Sequence, residues 1–301
     1  MCKSLTCIRL PNSATFFNRF STDNEQVPPR FLRCKALTSI IADPENKYYS
    51  TKDGILYSKD GSELTLYPEG LTNAHFSVPK GVKIIGEHSF SYCDSLKSIH
   101  IPDSVTQINI FAFTECKALA KVELPDSPIK IDSFAFESCK TLTQIDIHAF
   151  AKMNFDYSFC GCTSLAKINV HPNHKYLSSL NGVVYNKNKT ALLRCPKGYP
   201  YENLTIPDSV IVICEDAFRN CKKLKHIDIA DSVKFIDWFA FYGCSSLESV
   251  YIPNSVIKIG VGAFDECDSL TIYCRPNSNA RICAKVCGIK YATRLWKPKF
   301  K

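Results

Sequence analysis

Apolar residues along this chain fall at fixed offsets within a unit of 23 residues, and polar residues fill the positions between them. Phe, Cys and Leu recur as Phe90/Cys93/Leu96, Phe113/Cys116/Leu119, Phe136/Cys139/Leu142 and Phe159/Cys162/Leu165, then as Phe218/Cys221/Leu224, Phe241/Cys244/Leu247 and Phe264/Cys267/Leu270. From Cys93 the unit reads C-x-x-L-x-x-I-x-I-P-x-S-V-x-x-I-x-x-x-A-F-x-x, with Leu96, Ile99, Ile101, Pro102, Ser104, Val105, Ile108, Ala112 and Phe113 in its slots. The alternation Ile99/Ile101, Val122/Leu124, Ile145/Ile147, Ile168/Val170, Ile227/Ile229 and Val250/Ile252 has the period of two that marks a short strand with one buried face. Each coil is therefore expected to give one strand to a parallel sheet.

A repeat length of about 20 to 29 residues with apolar residues at fixed offsets predicts a solenoid of leucine-rich-repeat type, since one such unit cannot bury its apolar face alone. Proline after the strand (Pro102, Pro125, Pro207, Pro253) has no N–H to give a ladder, so P-x-S-V reads as a corner. A second short extended piece then carries Val105 and Ile108 inward. The A-F-x-x-C-x-x-L segment is too short for a long helix and predicts a turn with Phe and Cys pointing into the stack.

The period breaks twice in the same way: Cys34 to Cys93 and Cys162 to Cys221 both span 59 residues. The two insertions are copies of each other, with Pro44, Tyr48, Gly54, Tyr57, Pro68 and Gly70 matching Pro172, Tyr176, Gly182, Tyr185, Pro196 and Gly198. Asp53-Gly54 and Asn181-Gly182 are hairpin-turn dipeptides, so each insertion is expected to carry a β-hairpin. The predicted organisation is a single solenoid over residues 1–291, with enlarged hairpin coils at about 41–77 and 169–205, a C-terminal helical cap at about 274–291 and a basic tail at 292–301. Cys2 and Leu5 already occupy repeat slots, Phe17 to Pro29 reads as a polar bulge, and Arg294 to Lys301 as a frayed end.

Composition narrows the function. The chain has 301 residues and a net charge of +8, spread along its length except at the tail. Scattered charge without an aromatic stacking motif argues against nucleic-acid binding. No run approaches the roughly 20 apolar residues of a membrane span, and no secretory signal is visible in Met1 to Leu10. Of 16 cysteines, nine (Cys2, Cys34, Cys93, Cys116, Cys139, Cys162, Cys221, Cys244, Cys267) share one inward slot and read as an inert ladder of buried thiols. Cys283 and Cys287, with Cys274, would give three metal ligands, but no fourth is evident and no CxxC pair exists, so no metal or other cofactor is expected. Free thiols on this scale fit a reducing compartment.

No nucleophile elbow, phosphate-binding loop, dinucleotide fingerprint, zinc-protease helix or calcium loop is present. His171 and His174 flank Pro172 and read as turn residues, because Asp43 and Asn46 occupy the matching slots of the first insertion. Sequons stand at Asn188 and Asn203 and matter only for an exported chain.

The frame I-P-x-S-V-x-x-I-x-x-x-A-F-x-x-C-x-x-L, as in Ile101 to Leu119 and Ile252 to Leu270, resembles the BspA-like leucine-rich repeat family of bacterial and protist surface proteins. The inserted D-G-I-L-Y…L-x-x-Y-P-x-G, Asp53 to Gly70, resembles it too, and Asn181 to Gly198 follows the same pattern. The resemblance implies a non-enzymatic surface or secreted protein that adheres to host matrix or cell-surface proteins, and it supplies no catalytic residues.

The outward strand positions form the expected protein-binding face: Lys97, His100, Lys121, Glu123, Gln144, Asp146, Lys167, Asn169, Lys225, Asp228, Glu248 and Tyr251. Varied side chains on a repeated scaffold are how solenoids hold extended partners. Tyr251 and Trp238 are the aromatic candidates for anchors, Trp238 reading equally as a residue packed between coils. Two other readings stand beside the adhesin: an intracellular scaffold with a cytoplasmic protein partner, consistent with free thiols, and a thiol enzyme using a cysteine outside the ladder.

Overall fold

The computed structural model describes residues 4–15, 33–153 and 155–293. Cys2, the bulge predicted over Phe17 to Pro29 and the tail Arg294 to Lys301 lie outside them. The chain folds into stacked β-solenoid turns about 23 residues apart and divides between Thr163 and Ser164 into two compact units.

In the first unit the strands His75–Ser77, Ser98–His100 and Lys121–Glu123 form a parallel sheet. Register partners are one repeat apart, as in His75↔Ser98 and Lys121↔Ser98, so the sequence period is the sheet register. A second parallel ladder runs through Glu63–Leu66, Ile84–Ile85, Gln107–Ile108, Lys130–Ile131 and Lys152–Met153. This is the second extended piece of each coil; Ile108 within it and Val105 just before it are fully buried. The corner is a turn in which Val105 N–H donates to the Pro102 carbonyl at 3.0 Å. The second unit repeats the plan: Asn203–Thr205, His226–Asp228, Ser249–Tyr251, Thr271–Cys274 and Lys290–Thr293 on one side, Val212–Ile213, Phe235–Ile236 and Lys258–Ile259 on the other. Its cap is the helix Asn279–Val286, whose first turn is held by the Ser278 hydroxyl accepting from Arg281 N–H.

The Phe and Cys slots form the spine of each unit. Phe90, Phe113, Phe136, Phe218 and Phe241 are wholly buried. Their rings stack coil on coil at centroid distances of 5.0 Å (Phe90–Phe113), 5.1 Å (Phe113–Phe136) and 4.8 Å (Phe218–Phe241). Five ladder thiols donate to the Phe carbonyl of the coil before them: Cys116 to Phe90 at 3.0 Å, Cys139 to Phe113 at 3.2 Å, Cys162 to Phe136 at 3.0 Å, Cys244 to Phe218 at 3.0 Å and Cys267 to Phe241 at 3.1 Å. The Phe N–H runs the other way, to the alanine carbonyl of the next coil, as from Phe113 to Ala135 at 2.7 Å. Where an insertion interrupts the period, Tyr67 and Cys195 stand 23 residues before Phe90 and Phe218. The Tyr67 ring stacks on Phe90 at 5.0 Å, and its carbonyl lies 3.9 Å from the Cys93 thiol.

Each insertion holds the predicted hairpin and one strand more. Tyr49–Lys52 and Ile55–Ser58 pair antiparallel around Asp53-Gly54, whose φ angles of +53° and +76° suit the two-residue hairpin turn. Glu63–Leu66 then runs antiparallel to Ile55–Ser58 and parallel to Ile84–Ile85, returning the chain to the regular ladder. The second insertion matches it with Leu177–Leu180, Val183–Asn186 and Ala191–Arg194. Gly70 closes the first insertion where a Cβ would sit 2.6 Å from the Leu37 carbonyl oxygen, and Gly198 closes the second against the backbone of Ser164.

Beside Gly70, Glu69 is only 7% exposed and accepts the Arg33 N–H at 2.6 Å. Burial pushes its carboxyl up to about 7. A carboxyl whose folded value lies above the unfolded 4.5 favours folding below that pH, and the contribution is lost as pH rises from about 4.5 to about 7. Glu69→Gln should therefore flatten the fall in stability across that window, read as urea midpoints at a series of pH values. Phe113→Ala, which empties one rung of the ring stack, is expected to cost about 3–5 kcal/mol. Cys116→Ala, which removes one thiol bond and little volume, should cost about 1–2 kcal/mol in the same assay.

Candidate protein-binding face

The strand positions facing away from the core are set by the period of two, so the side chains before and after each buried Ile or Val share one surface. In the first unit this places Lys97, His100, Lys121, Glu123, Gln144 and Asp146 at exposed sites. His100 Nδ1 lies 3.1 Å from Glu123 Oε2 in the next strand, and Lys121 Nζ 2.5 Å from Glu123 Oε1. Gln144 Nε2 donates to Asp146 Oδ1 at 2.9 Å. The bond from Lys121 and, after it, that from His100 hold the Glu123 carboxyl below the usual carboxylate range. His75 Nδ1 and the Ser98 hydroxyl meet across the same sheet at 2.7 Å.

In the second unit Lys167 and Glu248 are exposed, while Asn169, Lys225 and Asp228 are half-buried. Lys225 is paired with Glu202 at 3.0 Å, and His226 Nδ1 meets the Ser249 hydroxyl at 2.7 Å. One expectation is corrected here. Tyr251 is only 4% exposed: it lies on the outward side of its strand but is flanked in register by Asp228 and Tyr273, and so offers no free ring. Trp238 is 54% exposed but sits in the turn after Phe235–Ile236, away from the strand positions.

A second aromatic ladder, not anticipated from the sequence, lines the turn side of the first unit. His88, Phe111, Phe134 and Tyr157 stack in order at 5.0, 5.3 and 5.2 Å. All four stand two residues before a Phe slot, so the 23-residue frame contained the signal. The first three have left-handed backbone (φ 53° to 60°). Burial pushes His88 down to about 4, so at neutral pH its ring joins the stack uncharged. In the second unit the turn side differs, with the Arg219 guanidinium 4.3 Å from the centre of the Tyr242 ring and paired with Asp216 at 2.9 Å.

The thiols bear on the catalytic alternative. Burial raises the ladder thiols Cys93 and Cys116 above their ordinary value, the reverse of what a nucleophile needs. Cys283, half-buried on the cap helix, is likewise pushed up, to about 12. His171 and His174 act as turn acceptors: His171 Nδ1 takes the Asn173 N–H at 3.1 Å, and His174 Nδ1 takes those of Tyr176 and Leu177 at 3.2 and 3.1 Å. Asp43 and Asn46 do the same in the first insertion. Among the described residues no helix is long and apolar enough to cross a membrane.

Comparison with known proteins agrees with this architecture. The BspA type leucine-rich repeat region model matches in six copies over residues 69–186 and 195–289. No curated protein matches the chain in sequence. Among solved structures, a leucine-rich repeat protein from Eubacterium ventriosum is 25% identical, with a TM-score of 0.54 over 76% of this chain and 69% of its own. The pneumococcal vaccine antigen PcpA is 17% identical, with a TM-score of 0.54 over 76% of this chain and 70% of that one.

Alkylation of the native protein should label Cys7 and Cys287, the exposed thiols among the described residues, well before the ladder cysteines. Mass mapping of labelled peptides before and after denaturation checks this order. Rapid native labelling of Cys116 or Cys244 would contradict the buried ladder.

Proposed function

The chain belongs to the BspA type leucine-rich repeat family, a scaffold for protein interaction, and from that premise we propose that it is a non-enzymatic adhesin-type protein that recognises host matrix or cell-surface proteins through its outward strand positions. The observation that carries the proposal is the contrast between slots. Inward positions repeat the same residue types from coil to coil, whereas the outward ones change from Lys97 and His100 to Lys121 and Glu123 to Gln144 and Asp146 at fixed spacing. A constant core with a varied, exposed and regularly spaced face suits an extended protein ligand. Exposed ion pairs such as Lys121–Glu123 contribute little to stability, so they can be exchanged for intermolecular bonds at small cost. Display at the cell surface or secretion is part of this proposal.

A second reading, an intracellular scaffold with a cytoplasmic partner, is favoured by the ladder of reduced thiols that serve as hydrogen-bond donors in the core. Antibody raised against the insertions separates the two. Labelling of intact, unpermeabilised source cells is expected if the protein acts at the surface, and labelling confined to permeabilised cells would replace the adhesin by the scaffold. With immobilised matrix proteins, Lys97→Glu/Lys121→Glu is expected to weaken binding about tenfold, or about 1.4 kcal/mol, with the thermal midpoint unchanged. Equal binding by the variant would remove the strand face from the site.

A further inference from the structure

The two insertions share one backbone plan but not one charge. Residues 41–77 carry six acidic residues and three lysines, whereas 169–205 carry five basic residues and a single acid, Glu202. Every carboxylate of the first copy is absent from the second: Asp43, Glu45, Asp53, Asp60, Glu63 and Glu69 become His171, Asn173, Asn181, Asn188, Ala191 and Lys197. Glu202 is paired with Lys225 at 3.0 Å. Two lysines and a tyrosine are kept in both copies, Lys47/Tyr48/Lys59 and Lys175/Tyr176/Lys187, and the second copy adds Lys189 where the first has Gly61.

Two of the lost carboxylates, Asp43 and Asp60, organise turns of the hairpin, and in the second copy neutral groups carry that role. Asp60 organises the turn after Ile55–Ser58: its Oδ1 accepts the Ser62 N–H at 3.0 Å and the Ser58 hydroxyl at 2.6 Å. In the second copy the Asn186 amide oxygen accepts the N–H groups of Thr190 and Ala191 at 2.8 and 3.0 Å, and no charge is needed. His171 likewise replaces the Asp43 carboxylate as acceptor for the N–H two residues on. The turn geometry survives and the negative field does not.

The result is a compact basic surface at one end of the second hairpin. Lys187 N–H donates to the Tyr176 carbonyl at 2.7 Å, which sets these residues opposite each other across the strands. Lys187 Nζ is braced on the Pro172 carbonyl at 2.6 Å, and Lys175 Nζ lies 5.1 Å from the centre of the Tyr176 ring. Lys175 and Lys187 are exposed and the tyrosine is 62% exposed. We propose that this surface, Lys175, Tyr176, Lys187 and Lys189, binds a sulfated polysaccharide. The ammonium groups meet the sulfates, and the negative face of the tyrosine ring receives the C–H face of a pyranose. An acidic peptide would use the lysines but give the ring no comparable role. This surface shares no residue with the strand face and is probed by different variants, so either proposal can fail without the other.

The test uses the full chain and immobilised heparin as probe. Wild type should be retained, with affinity falling steeply as salt rises. Asn188→Asp/Lys189→Gly rewrites the turn as the first copy has it, and with Lys175→Glu should weaken binding about tenfold or more, while Lys47→Glu in the first insertion should leave it unchanged. Tyr176→Ala should weaken heparin binding at constant charge. On the wild type, bound heparin should protect Lys175, Lys187 and Lys189 from acetylation but not Lys47 or Lys59, a reading that needs no variant to fold. Absence of retention, equal loss in Lys47→Glu, or protection elsewhere would overturn the proposal. Poly-glutamate bound as tightly as heparin, with Tyr176→Ala without effect, would assign the surface to acidic peptides and overturn the polysaccharide.

Discussion

Each coil meets the next through the Phe carbonyl, which accepts the Cys N–H of its own coil and the Cys thiol of the coil that follows, as Phe90 does from Cys93 at 3.2 Å and Cys116 at 3.0 Å. That doubly used oxygen explains a cysteine in the slot. A thiol fills about the volume of a small apolar residue, costs little to bury and still carries one proton to donate. The ring of the same Phe stacks on its neighbour, so one residue fixes both the spacing and the rotation of successive coils. Strand register follows, because a slip of one residue would move every rung of thiol and ring together.

The insertions show how much that spine tolerates. Each leaves the stack after one Cys and rejoins it at Tyr67 or Cys195, which take the Phe slot, so the added residues are confined to the antiparallel strands. A long excursion between fixed ends adds only slowly to the entropic cost of closing it. What the insertion surface carries is then nearly free to vary, and the replacement of Asp60 by Asn186 as turn acceptor shows a structural role passing from a charged to a neutral group without loss of the turn.

The variable surfaces have different grounds. The strand face varies because its side chains pair along the sheet surface, as His100 does with Glu123, and not with the core. The turn side of the first unit is more constrained: His88, Phe111 and Phe134 occupy left-handed backbone, a conformation that is costly for ring-bearing residues and is held there by coil-to-coil backbone bonds such as Phe113 N–H to Ala135. Aromatic stacking and backbone strain make that side a structural seam as much as a surface.

The sequence by itself determined the solenoid, its register, the inward Phe, Cys, Leu and Ile slots, the proline corner and the hairpins, because all of these follow from short-range periodicity and turn chemistry. It also placed Lys97, Lys121, Gln144 and Glu248 outward, since alternation along a strand is local. Only the tertiary structure decided the rest. The third strand of each insertion depends on pairing with Ile84–Ile85 or Val212–Ile213, which no local pattern encodes. Tyr67 entered the Phe slot through a contact with the next coil rather than through its own motif. Tyr251 was outward by alternation and yet buried, because exposure depends on what neighbouring strands place beside a residue, and that is a property of the assembled stack.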